Sequence, residues 1–228
     1  MTSSPWEDDG EVRRIKVMIV DDHPATREGL AIRISSEPDM MVCGEASDVS
    51  GALELIESRQ PDIVVVDIAL RASDGMDLIK QVRASNPSAL LLVWSMYHET
   101  LYAERALRAG AMGYVNKTQA TSTLIEAIRQ MLDGKVYLSV DLDEKLVNRV
   151  VDGINKNFHS APVESLSDRE LEVFRMIGHG MNTGEIANRL RLSNKTVETY
   201  RDRIRAKLDL STGTELSRTA FQWVLEHG

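Results

Sequence analysis

Residues 63–75 read IVVVDIALRASDG. Four β-branched apolar residues run without interruption into Asp67, and Asp74 and Gly75 follow seven and eight places later. Unbroken rather than alternating hydrophobicity marks a strand buried on both faces, as in a parallel sheet covered by helices. Core packing gives such a strand no reason to end on a carboxylate.

The same pattern recurs on either side, in IKVMIV (15–20), MMVCG (40–44), LLLVW (90–94) and GYVNK (113–117). Between these runs, ATREGLAIRI, GALELIESR, DLIKQVRAS, LYAERALRAG and STLIEAIRQML place apolar residues three and four apart, the spacing of amphipathic helices. Five strands alternating with helices predict a doubly wound α/β domain with a five-stranded parallel sheet and right-handed crossovers. Ligands of such sheets bind outside the carboxyl ends of the strands, where strand order reverses. Asp21 and Asp22 follow the first strand, Asp67 the third, Ser95 the fourth and Lys117 the fifth. Three acids crowded together repel one another unless a cation intervenes, and hard oxygen donors favour Mg²⁺. A carboxylate beside Mg²⁺ can attack a phosphoryl group, with an amine and a hydroxyl to neutralise and orient its oxygens.

The chain has 228 residues, 43% of them hydrophobic, enough for two ordinary domains. Its start, MTSSPWEDDGEVRR, lacks the apolar core of a signal peptide, and no stretch reaches membrane-spanning length, so a cytoplasmic protein without membrane contact is expected. The single cysteine, Cys43, excludes an internal disulfide and a multi-cysteine zinc site and reads as core filler. Residues 1–162 hold 25 acids against 17 bases, whereas 163–228 hold ten of each. Within the second part, residues 189–207 carry seven basic side chains against Glu198 and Asp202, a footprint that attracts nucleic acid.

Helix starts are legible there. SDRE (167–170), NTGE (182–185) and TGTE (212–215) each set a capping residue three before a glutamate, and Ser193 opens a further helix. The predicted helices span about 168–179, 183–190, 194–208 and 213–226, the second and third joined by a turn as short as that of a helix-turn-helix. On a wheel of the third, Val197, Ile204 and Leu208 form the buried stripe. Lys195, Thr199 and Asp202 point away, flanked by Glu198 and Arg203, the face a recognition helix presents to the major groove.

VDDH, VVVDIA, VWS and GYVNK resemble the receiver domain of bacterial two-component response regulators over about residues 14–135. LSDRELEVFRMIGHGMNTGEIANRLRLSNKTVETYRDRIRAKLDL (166–210) resembles the LuxR-type four-helix DNA-binding domain. Together they point to the NarL/FixJ class. The resemblance implies a flavodoxin-like receiver at 14–135, a linker with a short helix at 136–164 and an all-α helix-turn-helix domain at 165–228. It implies that Asp67 accepts phosphate from a sensor histidine kinase, with Mg²⁺ held by Asp21, Asp22, Asp67 and the backbone carbonyl of Ala69. Ser95 and Tyr114 would be the switch hydroxyl and switch aromatic, Tyr114 turning inward on phosphorylation, and Lys117 the phosphoryl-stabilising amine. Asn194, Lys195, Thr196, Glu198, Thr199, Asp202 and Arg203 are the candidate DNA contacts. Implied partners are promoter half-sites, a second copy of the phosphorylated chain and RNA polymerase.

Two departures stand out. Arg71 occupies the place where the family usually has proline, removing a fixed φ, and Met96 follows Ser95 where many receivers have a smaller residue, so narrower access to the phosphoryl group is expected. His23, beside the acids, is assigned a structural role rather than ligation. A rival reading keeps DNA binding without phosphorylation. Another, an aspartyl-phosphate phosphatase, is disfavoured because its D-x-D pair after the first strand is absent.

Overall fold

The computed structural model describes residues 13–70, 74–97, 99–138 and 162–227; Arg71 and the expected linker helix lie outside them. The chain divides into two compact units, Met1–Ser139 and Val140–Gly228.

In the first unit the strands are β1 (Ile15–Val20), β2 (Met40–Ala46), β3 (Ile63–Val66), β4 (Leu90–Ser95) and β5 (Gly113–Asn116). They alternate with α1 (Pro24–Ser35), α2 (Val49–Arg59), α3 (Gly75–Ser85), α4 (Glu99–Ala109) and α5 (Thr121–Leu132). All pairings are parallel, in the order β2-β1-β3-β4-β5. Order reverses at β1, whose neighbours β2 and β3 lie on opposite sides, so the crevice for a ligand opens between the ends of β1 and β3.

Side-chain alternation sorts the buried strands between two helical layers. Val17 and Ile19 of β1, Val65 of β3 and Leu92 and Trp94 of β4 join Leu30 and Ile34 of α1 and Leu124, Ile128 and Met131 of α5 in one core. Val64, Val66, Leu91 and Val93, at the alternate positions, are equally buried on the opposite face. Cys43 departs from its expected place. The β1–β2 register skips it, pairing Val17 with Val42 and Met18 with Gly44, and a bulge on an edge strand leaves the residue half-buried rather than in the core. Burial still pushes its thiol pKa up, away from thiolate chemistry.

Among the described residues, the second unit contains a 3₁₀ turn (Pro162–Ser165) and four helices: α6 (Asp168–Gly178), α7 (Thr183–Leu190), α8 (Asn194–Lys207) and α9 (Gly213–His227). The capping signals form as read. Ser167 with Glu170, and Asn182 with Glu185, make reciprocal capping boxes, and Ser193 Oγ accepts from Thr196 N at 3.1 Å. Arg191 takes a left-handed φ of 53° to end α7, which turns the chain directly into α8. Leu171, Phe174, Ile186, Val197, Ile204 and Leu216 are among the fully or nearly fully buried residues of this unit's core. Gly178 lets α6 and α9 meet, since a Cβ there would stand 2.5 Å from the Ala220 carbonyl oxygen. No helix among the described residues is long and apolar enough to cross a membrane.

Candidate functional site

Backbone pairing carries the strand ends into register before any side chain is considered. Asp21 N donates to the Ala46 carbonyl at 3.1 Å, Asp67 N to the Val20 carbonyl at 2.8 Å and Lys117 N to the Ser95 carbonyl at 2.9 Å. Asp21, Asp67, Ser95 and Lys117 are thereby gathered at one edge of the sheet. Asp21, Asp67 and Ser95 are buried, at 1%, 3% and 0% exposure, so their polarity must be satisfied internally.

Lys117 does most of that. Its Nζ donates to Asp21 Oδ2 and to Asp67 Oδ2, each at 2.6 Å. Burial presses the amine's pKa down, but the Asp67 and Asp21 carboxylates outweigh it and the net shift is upward, so the ammonium stays charged. Burial raises the Asp67 pKa against the pull of Lys117. Asp67 Oδ1 accepts from Ala69 N at 3.0 Å, which orients the carboxylate and brings the start of the following loop alongside it. Gly75 closes that loop: its N donates to the Ile68 carbonyl at 3.1 Å, and a Cβ would lie 2.7 Å from Ile68 Cα. Asp74 caps α3, accepting from Met76 N at 2.9 Å. The acid and glycine that follow Asp67 in the sequence therefore hold α3 against the Asp67 loop.

Asp21, Asp22, Asp67 and His23 each bring a ligand atom within 4.8 Å of the others. Three carboxylates form a donor set suited to a hard divalent cation, and the residues present fit Mg²⁺. His23 contributes more than proximity. Its N donates to Asp21 Oδ1 at 2.7 Å, its Nδ1 lies 2.8 Å from Asp22 Oδ1 and 3.3 Å from Asp21 Oδ1, and it precedes α1 as the N-cap residue. Arg27, which carries no signal in the sequence, donates to the Asp21 carbonyl at 2.6 Å.

Ser95 Oγ accepts from Tyr97 N at 3.3 Å, and Met96 between them is exposed. Tyr114 is seated inward in this structure, 1% exposed, with its hydroxyl donating to the Tyr97 carbonyl at 2.8 Å. The Tyr97 carbonyl satisfies the phenol in this buried position. Burial pushes its pKa well above the ordinary value, so the hydroxyl remains a donor.

On α8, Asn194, Lys195, Glu198, Thr199, Asp202 and Arg203 are exposed, while Val197 and Ile204 are buried. Thr196 is half-buried, its Oγ1 2.8 Å from Ser193 Oγ at the helix start. Thr199 Oγ1 donates to the Lys195 carbonyl at 2.9 Å. Ser193, Lys195, Thr196, Thr199, Tyr200 and Arg203 line a shallow cavity of about 270 Å³. The two acids of this face are held by neighbours: Glu198 Oε1 accepts from Thr183 Oγ1 at 2.6 Å and its Oε2 lies 3.8 Å from Arg201, while Asp202 pairs with Arg205 at 2.6 Å.

Residues 17–129 match the family of response regulator receiver domains, and residues 164–220 match the luxR family of bacterial regulatory proteins. The response regulator GacA of Pseudomonas aeruginosa is 31% identical over 208 residues, which cover 91% of this chain and 96% of that protein. A crystal structure of a LuxR-family two-component response regulator from Aurantimonas sp. SI85-9A1 is 33% identical with a TM-score of 0.57, covering 60% of this chain and 99% of that one. At the level of fold, RcsB from Salmonella enterica serovar Typhimurium, bound to promoter P1flhDC in the presence of the phosphomimetic BeF3-, gives a TM-score of 0.63 at 23% identity, covering 91% of this chain and 98% of that one.

Proposed function

The chain belongs to the response regulators that join a receiver domain to a LuxR-family DNA-binding domain, and from that premise we propose that Asp67 is its phosphoacceptor and that phosphorylation controls promoter binding. The observation that carries this reading is the buried Lys117 ammonium shared between Asp21 and Asp67, a polar constellation that core packing does not require. The relatives are regulators rather than catalytic enzymes, which sets the phosphatase alternative aside.

In the proposed step an Asp67 carboxylate oxygen attacks the phosphorus of a phosphohistidine on a sensor kinase, and the P–N bond breaks with its electron pair going to the imidazole. Asp21, Asp22, Asp67 and the Ala69 carbonyl would hold Mg²⁺, which when bound neutralises charge between the carboxylates and the incoming phosphoryl oxygens. Lys117 Nζ, already at Asp67 Oδ2, is positioned to follow the phosphoryl oxygens. Ser95 Oγ would exchange the Tyr97 amide for the phosphoryl group, and the β4–α4 loop would follow it.

The output is a two-fold dimer on DNA, with half-site centres about 10 bp or a multiple apart, placing α8 in successive major grooves. RNA polymerase is the expected downstream partner. Asn194, Lys195, Thr199 and Arg203 are the proposed contacts to the duplex around Glu198, which reads a base, while Thr196 and Asp202 border them. Phosphorylation is expected to tighten DNA binding by the roughly 5- to 150-fold typical of allosteric coupling.

Incubation of the full chain with Mg²⁺ and a small phosphodonor, followed by mass mapping, tests the assignment. One phosphoryl mass at Asp67, absent from Asp67→Asn, is expected; full labelling of Asp67→Asn moves the acceptor elsewhere. Asp22→Asn should weaken Mg²⁺ binding. Equal DNA affinity before and after labelling, at one fixed salt concentration, would favour phosphorylation-independent regulation.

A further inference from the structure

Asn116 ends β5 beside Lys117, and both ends of its side-chain amide are in use. Nδ2 donates to the Tyr97 carbonyl at 2.9 Å, and Oδ1 accepts from Thr118 N at 2.9 Å and Thr118 Oγ1 at 2.7 Å. The partners settle the orientation of the amide, because a carbonyl can only accept and a backbone N–H can only donate. The same Tyr97 carbonyl accepts the Tyr114 hydroxyl, filling both of its lone pairs, while Tyr97 N donates to Ser95 Oγ. A single residue of the β4–α4 loop thus joins the Ser95 hydroxyl, the Tyr114 ring and the loop that carries Lys117.

We propose that Asn116 is a positioning residue of the phosphorylation response: its amide pins the Tyr97 carbonyl where the Tyr114 hydroxyl reaches it, and so couples movement of the Ser95 loop to the seat of Tyr114. The proposal rests on the assignment of Asp67 as phosphoacceptor. A donor toward Tyr97 and an acceptor toward Thr118 are both needed at this position, and among side chains of this size only asparagine carries them on two separate atoms. Aspartate would keep the bonds to Thr118 and lose the one to Tyr97, setting a carboxylate oxygen against a carbonyl oxygen. The substitution therefore cuts one tether and spares the other.

The test compares wild type, Asn116→Asp and Asn116→Ala as full chains, with hydrogen exchange, labelling by a small phosphodonor in Mg²⁺, and DNA affinity before and after labelling. In Asn116→Asp, amides of residues 95–97 should exchange faster while the Thr118 amide stays protected. Asp67 should still take its phosphoryl group, and the gain in DNA affinity on labelling should be largely lost. Asn116→Ala should show the same two effects and also lose protection at Thr118; carrying no charge, it serves if the aspartate variant does not fold. A merely structural residue would lower the melting temperature and leave the ratio of affinities intact. Wild-type exchange at 95–97, or a full affinity gain in both variants, overturns the proposal. A wild-type chain that takes no phosphoryl group sinks the Asp67 reading and the coupling with it; failure of the tether alone is told apart because it leaves wild-type labelling and gain intact.

Discussion

The receiver's strand ends and the outer face of α8 are both built from charged residues, yet they spend that charge in opposite surroundings. At the strand ends, Lys117 bridges Asp21 and Asp67 with all three side chains under one-tenth exposed. On α8, Asp202 and Arg205 meet at the same 2.6 Å while the acid is 64% exposed. In low dielectric a charge without a partner is costly; in water it is nearly neutral to folding. The buried set is thus held together by what its absence would cost, and the exposed set remains available to another charged molecule.

Breaking each set should reveal that difference. Lys117→Met leaves two buried carboxylates without their cation and should cost about 3–5 kcal/mol in the urea transition of the first unit. Labelling of Asp67 should also fail. A cost below 1 kcal/mol would mean that water reaches the acids and that the strand ends behave like α8.

Glycine packing sharpens the same contrast without touching a charge. Gly75→Ala and Gly178→Ala each force a Cβ against backbone, near Ile68 and Ala220 respectively, and each should destabilise its own unit by about 1–3 kcal/mol. Only Gly75→Ala should also slow labelling, because the displaced loop carries Asp67. Equal labelling rates in the two variants would show that α3 does not hold the site in place.

These two regions also differ in how much of them the sequence displays. Continuous apolar runs announce the strands, and the alternation of strands and helices brings Asp21, Asp67, Ser95 and Lys117 to one edge with no knowledge of side-chain contacts. Capping boxes at Ser167 and Asn182 are legible because both partners lie within four residues. The bonds of Arg27 to the Asp21 carbonyl, Asn116 to the Tyr97 carbonyl and Thr183 to Glu198 have no such local pattern, since they join separate elements. The Cys43 bulge escapes for a similar reason, being a property of the β1–β2 pairing and not of either strand. On α8 the sequence identifies the exposed face but cannot separate Glu198, tied to α7 through Thr183, from Asp202, paired within its own helix.

That separation is open to measurement. Glu198→Ala should flatten preference at one base pair per half-site, a loss of about 1–3 kcal/mol of discrimination if the carboxylate accepts from the N4 amine of cytosine. Thr183→Ala should weaken preference at the same base pair to a smaller degree, because it releases the acid without removing it. Lys195→Ala should instead weaken binding to every sequence and lower the salt slope. An unchanged selected motif in Glu198→Ala would shift specificity to Thr199, Lys195 and Arg203.

Asp202→Asn should have the smallest effect of all on folding. Its pair with Arg205 joins an exposed acid to a partly exposed base spaced i, i+3 along one helix, a geometry worth about 0–1 kcal/mol that salt screens further. Its effect on DNA should be visible but uniform. An acid within reach of phosphates opposes their charge at every sequence, and its pairing with Arg205 also occupies a cation that could otherwise face the duplex. Removing the charge should therefore tighten binding to specific and random duplexes by the same factor and steepen the salt dependence, leaving the selected motif unchanged. A changed base preference in Asp202→Asn would place a second acidic reader on α8, and the contrast between a base-reading Glu198 and a merely electrostatic Asp202 would fall.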